Sequence, residues 1–135
     1  MALKCYAFGV FAVSLAVLLS GCIQESAPLV NLGTISQYVD KQVTAEGCLS
    51  FNCPTSVGSS YPKDCMVTLC DEHKKCINNL EFNTSTQPLR SVLDNYYSES
   101  FNKCIKIRVT GKVIESTCPT CVTVYKIGVS GVTVA

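Results

Sequence analysis

The sequence has almost no excess charge. It contains 11 Lys and Arg residues and 10 Asp and Glu residues, and charged residues make up only 16% of the chain. Domains that bind nucleic acid or anionic membrane surfaces usually carry a clustered basic surface. The charge balance therefore argues against both kinds of partner.

The sequence is also poor in the side chains on which catalysis usually depends. It contains one histidine, His73, and aromatic residues make up 8% of it. It has no nucleophile elbow, no glycine-rich phosphate loop and no pair of carboxylates in a shared setting. We therefore expect a protein that is not an enzyme and needs no cofactor.

One long apolar run lies near the amino terminus. Residues 6–20 are apolar except for two serines, which is about fifteen residues where a membrane-crossing helix needs about twenty. A lysine precedes the apolar segment Ala7–Leu19, and the small residues Ser20 and Gly21 follow it. This order is typical of a secretory signal. The sequence therefore predicts export, with a cut before Cys22.

The four residues Leu19-Ser20-Gly21-Cys22 resemble the lipobox of prokaryotic lipoproteins. The resemblance implies that the Cys22 thiol carries a diacylglycerol and that a peptidase removes residues 1–21. Two acyl chains, palmitate among them, hold a protein stably on a bilayer where one does not. The expected partner is thus the cell membrane, on its extracytoplasmic face. An uncleaved anchor, or an ordinary signal with a chance cysteine, is the alternative.

The predicted cut divides the chain into three parts. Residues 1–21 form the signal peptide, 22–33 the lipidated amino terminus with its tether, and 34–135 one domain. The last part is long enough for a single modest core.

Eight cysteines remain once Cys5 and Cys22 are set aside. They are Cys48, Cys53, Cys65, Cys70, Cys76, Cys104, Cys118 and Cys121. An even, dense set in an exported domain predicts disulfides, whereas the same set in the cytosol would suggest metal.

Four of these cysteines share one hairpin register. The residue numbers of Cys48 and Cys70 have the same sum as those of Cys53 and Cys65. Opposed residues of an antiparallel pair keep a constant sum and lie about 4.5–5.5 Å apart, a separation that suits a disulfide. We therefore predict the bridges Cys48–Cys70 and Cys53–Cys65.

The motif CPTC, residues 118–121, has the spacing of thioredoxin-like redox sites. Such sites place the first thiolate at a helix N-terminus, and no helical pattern follows here. We predict a turn in which Cys118 and Cys121 are bridged to each other or to Cys76 and Cys104. Thiol–disulfide exchange by Cys118 and Cys121 is an alternative function.

A zinc site is a further possibility for part of the cysteine set. Cys65, Cys70, His73 and Cys76 could supply four ligands in chain order. Structural zinc sites usually take ligands paired two to four residues apart on two knuckles. Because this order differs, we predict no metal site and a solvated His73.

Alternating apolar residues predict five strands, with one helix between the third and the fourth. The strands span residues 41–51, 65–70, 76–82, 104–116 and 121–135. The helix begins at a Ser85 or Thr86 cap, carries Pro88 in its first turn, and has an apolar face of Leu89, Val92, Leu93, Tyr96 and Tyr97. A short helical lead-in follows Thr34.

The phrases ISQYVDKQVTAEGCL and KCIKIRVTGKVIES, in this order of elements, resemble the OB-fold over residues 34–135. Gly47 and Gly111 interrupt the long first and fourth strands, as sharply coiled barrel strands require. The predicted fold is mostly β with one or two short helices: a small, disulfide-rich, five-stranded OB-like barrel. A small disulfide-rich β-sandwich is the alternative.

The OB resemblance implies a binding face across the second and third strands and the adjoining loops. Nucleic-acid binding there needs aromatic platforms and a basic groove. The second strand offers Met66 and Thr68, with Tyr61 before it and Phe82 after the third strand. Oligonucleotide binding is therefore only a second alternative. We predict an extracytoplasmic binding or interaction module for an unidentified ligand or protein.

A basic stripe lies on the predicted fourth strand. It consists of Lys106, Arg108 and Lys112, which alternate with Ile105, Ile107, Val109 and Val113. Such alternation is typical of a solvated outer face opposite a buried one.

The sequon Asn83-Thr84-Ser85 precedes the predicted helix. In an exported chain, Asn83 could accept a glycan. The same residues serve equally well as a turn and helix cap.

Overall fold

The computed structural model describes residues 4–5, 22–23, 26–77, 79–117 and 119–135. Its strands β1 to β9 are, in chain order, Lys4–Cys5, Cys22–Ile23, Leu29–Val30, Gln42–Asn52, Met66–Cys70, Cys76–Ile77, Leu80–Glu81, Lys106–Ser116 and Val124–Val134. Two 3₁₀-helices span Leu32–Tyr38 and Thr84–Thr86, and the α-helices α1 and α2 span Gln87–Asp94 and Tyr97–Ser100.

The predicted signal segment Ala7–Leu19 and residues 24–25 of the predicted tether fall outside the described residues. Within the described part of the chain, no helix combines the length and the apolar character needed to cross a bilayer.

The fold is mostly β, as predicted. Strands β1 and β2 form a separate antiparallel pair. The other strands form one mixed sheet whose hydrogen-bonded path runs β6-β5-β4-β8-β9-β7, and β3 pairs in parallel with β4 beside that path. The two ends of the path do not pair with each other, so the sheet is not closed into a barrel. The 3₁₀-helix Leu32–Tyr38 lies between β3 and β4, and the other three helices lie between β7 and β8.

The predicted inward faces of the two long strands are confirmed. The side chains of Val43, Ala45, Leu49 and Phe51 in β4, and of Ile107, Val109 and Val113 in β8, are buried. They join Val67, Leu69, Ile127 and Leu93 in a single core. Because successive strand residues alternate between faces, this burial places the intervening polar residues of both strands on the outer face.

Gly47 and Gly111 lie where neighbouring backbones approach closely. A Cβ at Gly47 would stand 2.4 Å from the carbonyl oxygen of Cys70, and a Cβ at Gly111 would stand 2.2 Å from that of Gly128. The β8–β9 register shifts at Gly111, and β4 exchanges β3 for β5 as its neighbour near Gly47. At both positions the neighbouring carbonyl oxygen leaves no room for a Cβ atom, so only glycine fits.

The α-helix α1 begins directly after Thr86, one of the two predicted cap residues, but a 3₁₀ turn precedes it and the predicted helix is broken in the middle. Asn83 caps the preceding 3₁₀ turn: its side chain accepts from the Thr86 backbone N–H, while the Thr86 side chain accepts from the Asn83 N–H. A turn then separates α1 from α2 at residues 95–96. Leu93 is completely buried but Val92 is 47% exposed, so the continuous apolar face predicted from spacing was wrong at that residue. The lead-in helix is capped by Asn31 and not by Thr34.

Candidate functional site

Three disulfides join the described cysteines in and beside the sheet: Cys48–Cys104, Cys53–Cys65 and Cys70–Cys76. The predicted β4–β5 register is confirmed, because Cys48 pairs with Cys70 and Asn52 with Met66. The bridge Cys53–Cys65 is confirmed with it. The predicted bridge Cys48–Cys70 was wrong, since both residues are bonded to other cysteines.

The reason is that a strand inside a sheet has two neighbours. Cys70 in β5 lies opposite Cys48 in β4 and also opposite Cys76 in β6. Cys48 lies opposite Lys106 in β8, two residues after Cys104. Each residue of the predicted pair therefore had a second cysteine within reach, and the hairpin register alone does not choose between them.

Cys48, Cys70 and Cys76 lie in one line on the outer face of the sheet, because directly opposed residues of adjacent strands point to the same side. Cys104, which precedes β8, extends this line through its bond to Cys48. We call these four residues the cysteine row, in the order Cys104, Cys48, Cys70 and Cys76. Cys48 and Cys70 are its inner pair and are half-buried; Cys76 and Cys104 are its outer pair and are exposed.

A cleft of about 540 Å³ opens beside the cysteine row. The segment 29–32 lines it, together with Asp71 and Glu72 from the turn after β5 and three of the four row cysteines. Its volume falls in the range of about 300–1,000 Å³ that small-ligand pockets occupy. The disulfides of the row are therefore reachable from solvent through a concave surface.

An ion-pair cluster stands at the edge of this cleft. The Glu46 carboxylate accepts from Lys106 Nζ at 2.8 Å and from Arg108 Nη2 at 2.8 Å. The hydrogen bond from Lys106, and then that from Arg108, hold the pKa of Glu46 below its ordinary value of 4.5. Two cations of the predicted basic stripe are thus paired with one carboxylate. The Nζ of the third, Lys112, lies 3.8 Å from Asp40 Oδ1.

The turn between β5 and β6 is organised by Asp71. Its carboxylate accepts from the backbone N–H of His73 at 2.9 Å and of Lys75 at 2.8 Å. His73 is exposed, 3.6 Å from the Glu72 carboxylate. The cysteines of the zinc alternative are bonded in disulfides, which leaves no thiolates there to serve as ligands.

The other end of the β4–β5 hairpin carries the loop bridge Cys53–Cys65. Arg90 of α1 fastens this loop: its guanidinium donates to the carbonyl oxygens of Pro62 at 2.8 Å and of Cys65 at 2.7 Å. The same side chain pairs with Asp94 at 2.8 Å, and both partners are less than one-fifth exposed.

Four aromatic rings meet between this loop and α2, and we call them the aromatic group: Phe51, Tyr61, Tyr97 and Phe101. The Tyr97 ring lies at its centre, with centroid distances of 5.2 Å to Phe51, 6.4 Å to Tyr61 and 4.9 Å to Phe101. Tyr97 also donates its hydroxyl to Cys53 Sγ at 3.6 Å, because a bridged sulfur has no proton to give.

The aromatic group is buried on one side and open on the other. Phe51 is 8% exposed, whereas Tyr61 is 49% and Phe101 63% exposed. The Tyr61 hydroxyl donates to the Pro54 carbonyl oxygen, so the ring is fixed to the bridged loop. Sequence reasoning singled out Tyr61 but missed its partners, because Tyr97 and Phe101 lie over 30 residues away in a predicted helix.

The residues predicted for an OB-like binding face are not equally available. Met66 is 46% exposed, but Thr68 is buried and donates its hydroxyl to the Ser50 carbonyl oxygen at 3.3 Å. Phe82 is half-buried against the core. The exposed aromatic side chains therefore lie in the loop before β5, at Tyr61, and directly after α2, at Phe101.

The predicted glycan acceptor lies at an exposed turn. Asn83 Oδ1 accepts from the Ser85 hydroxyl at 2.6 Å and from the Thr86 N–H at 3.1 Å. The cap uses the oxygen of the Asn83 amide and leaves its nitrogen for other chemistry, so the two predicted roles are compatible.

The CPTC motif lies between β8 and β9, where the sequence predicted a turn. Cys118 falls outside the described residues. Cys121 is disulfide-bonded, and the side chain of its partner is not among those described.

Comparison of the sequence with protein-family models found no match, and comparison with curated proteins found none either.

Proposed function

We propose that this protein is a lipid-anchored lipoprotein of the extracytoplasmic membrane face whose OB-like domain serves as a binding or interaction module. The exposed side of the aromatic group is the observation on which the binding proposal depends. The anchor is supported by the lipobox resemblance at Cys22 and by a dense set of disulfides, which persist in oxidising compartments.

An OB-like arrangement is supported by where the sheet path begins and ends. Strands β6 and β7 belong to one short segment, residues 76–81. That segment pairs with β5 at one end of the path and, in parallel, with β9 at the other. The two ends of the path thus come from neighbouring stretches of the sequence, which supports the strand order of a partly open five-stranded barrel. The helices between this segment and β8 also follow the OB order.

A binding role is supported by the cost of exposing an ordered aromatic surface. Large apolar side chains presented together to water usually mark an interaction site. Here the rings of Tyr61 and Phe101 are held by Tyr97, and the loop beneath them is fixed by a disulfide and by Arg90. Rings fixed before binding lose little conformational entropy when a partner covers them. The aromatic group is thus both apolar and pre-organised.

The two alternative functions have weaker support. Oligonucleotide binding needs a basic groove, but Lys106 and Arg108 share the Glu46 carboxylate. Redox chemistry at the CPTC motif needs a helix N-terminus to stabilise a thiolate, but strand β9 begins three residues after Cys121.

The anchor is tested by cell fractionation of the wild type and of Cys22→Ser. We expect the wild type in the membrane fraction, with an acylated amino-terminal peptide that begins at residue 22. The variant should be released or should keep residues 1–21. Wild-type protein that is soluble and retains Met1 would contradict the anchor.

The binding surface is tested by replacing single residues with a photoreactive phenylalanine analogue in living cells. At Phe101 we expect a crosslinked adduct of one discrete mass, which Tyr61→Ser should abolish. Glu115, exposed on β8, is the matched control and should give no adduct. Absence of an adduct at Phe101, or the same adduct at both positions, would contradict the proposal.

A further inference from the structure

We propose that the cysteine row is a thiol–disulfide exchange site. When an external dithiol reduces one of its two bridges, the remaining bridge moves to the inner pair and the two thiols move to the outer pair. This activity is independent of the binding role proposed above and of the CPTC motif.

The first support is the register of three adjacent strands. Cys48 lies directly opposite Cys70, and Cys70 directly opposite Cys76. Directly opposed residues have Cβ atoms about 4.5–5.5 Å apart, whereas a disulfide needs about 3.5–4.5 Å. The inner pair therefore needs a closure of only about 1 Å to become bonded. The two observed bridges flank this unused pairing on either side.

The second support is the difference in exposure between the inner and outer pairs. Cys76 and Cys104 are exposed, and Cys48 and Cys70 are half-buried. An external thiolate attacks the sulfur that it can reach and expels the other sulfur of the bridge. Attack at either member of the outer pair thus expels a member of the inner pair as the thiolate, beside the intact second bridge.

The external dithiol first reduces one bridge, in two steps. A thiolate of the external dithiol attacks Cys76 Sγ, forms a mixed disulfide and expels the Cys70 thiolate. The second thiol of the dithiol then displaces Cys76, which takes a proton, and the dithiol leaves as its cyclic disulfide. The row has gained two electrons and one proton, and Cys70 remains a thiolate.

The bridge then moves within the protein. The Cys70 thiolate attacks Cys48 Sγ, so the Cys48–Cys70 bond forms and the Cys48–Cys104 bond breaks. The leaving Cys104 thiolate takes up a proton. Entry at Cys104 gives the same product by the mirror sequence, because the Cys48 thiolate then attacks Cys70 and expels Cys76.

The third support is the cleft beside the row. Cys48, Cys70 and Cys104 all line it, and its volume is about 540 Å³. The loop bridge offers a contrast: Cys65 is 3% exposed, and neither Cys53 nor Cys65 has another described cysteine as a register partner. Exchange is therefore expected at the row and not at the loop bridge.

The test uses the full-length, detergent-extracted protein with Cys76→Ser, and Cys65→Ser as the matched control. Free thiols are alkylated at acidic pH, where exchange stops. Tryptic cleavage after Lys103 and Lys106 isolates Cys104 in residues 104–106, so its state is read directly by mass spectrometry. In most molecules of Cys76→Ser we expect the alkylated cysteine to be Cys104. In Cys65→Ser we expect Cys53 to be alkylated, with both bridges of the row unchanged.

If most Cys76→Ser molecules are instead alkylated at Cys70 and keep Cys104 bridged, the proposal is overturned. A second measurement needs no substitution: the wild type is treated with one equivalent of dithiothreitol and alkylated. Exchange predicts that alkylated Cys76 and alkylated Cys104 occur in the same molecules. Alkylation of both cysteines of one original bridge, Cys70 with Cys76 or Cys48 with Cys104, would also overturn it.

Discussion

The two ends of the β4–β5 hairpin share one register but are crosslinked in different ways. At the loop end, Cys53 and Cys65 are bonded to each other; at the row end, Cys48 and Cys70 face each other and are bonded elsewhere. The loop end lies outside the sheet, where no third strand brings another cysteine. The row end lies inside the sheet, where both strands have further neighbours. Register therefore predicts a disulfide only where a hairpin has no competing neighbour.

The largest expected effect comes from removing each bridge as a pair of Cys→Ser substitutions. The sequence separations of the bonded residues are 56 for Cys48–Cys104, 12 for Cys53–Cys65 and 6 for Cys70–Cys76. Loop-closure entropy predicts losses in the free energy of unfolding of about 4, 3 and 2 kcal/mol, respectively. Urea denaturation of the three variants measures this order.

That ranking sharpens the comparison because it places the loop end between the two bridges of the row. A larger loss in the free energy of unfolding for the loop bridge than for Cys48–Cys104 would contradict the ranking. Such a result would mean that native contacts of the loop, and not chain entropy, dominate its contribution.

A smaller effect is expected from Arg90→Lys at the loop end. The variant keeps the charge beside Asp94 but loses the forked donation to the Pro62 and Cys65 carbonyl oxygens. Leaving such acceptors without a partner costs about 1–3 kcal/mol, to be measured by urea denaturation.

The matched control for that variant is Lys103→Met, three residues after the end of α2. Lys103 also forms an i,i+4 ion pair, with Glu99 at 2.9 Å, but both side chains are more than half exposed. Exposed pairs of this kind contribute at most about 0.5 kcal/mol. Equal losses for the two variants would show that the carbonyl contacts of Arg90 do not hold the loop.

The smallest effect is expected at the row end, from Glu46→Gln. The pKa of Glu46 is lowered in the folded protein by its hydrogen bonds to Lys106 and Arg108. Its contribution to stability is therefore complete above the ordinary value of 4.5 and is lost as the pH falls through the folded pKa. The Tm of the wild type should exceed that of the variant at neutral pH, and the two Tm values should converge in acid.

High salt provides the control for the Glu46 prediction. The ion pairs of Glu46 with Lys106 and Arg108 are solvent-exposed, so about 1 M salt should reduce the neutral-pH difference as well. A difference that persists undiminished at low pH and in high salt would assign the effect to packing and not to charge.

Much of the local structure was predictable because it depends on neighbours in sequence. The alternation in β4 and β8 identified their buried faces, and one constant sum of residue numbers identified the β4–β5 register and the loop bridge. The aromatic group was not predictable, because Tyr97, which contacts Phe101, meets Tyr61 only after the helix has folded onto the loop. A cap at residues 83–85 was predicted, but the 3₁₀ turn that it begins before the α-helix was not.

The sequence by itself determined which residues of the two long strands are buried, where those strands are interrupted and which pair of strands forms the hairpin, because periodicity and steric size act over short stretches of chain. Only the tertiary structure decided which cysteines are bonded in the row and which rings share an exposed surface. Those choices depend on which strand becomes the second neighbour of β4 and of β5, and no pattern within a single strand or hairpin contains that information.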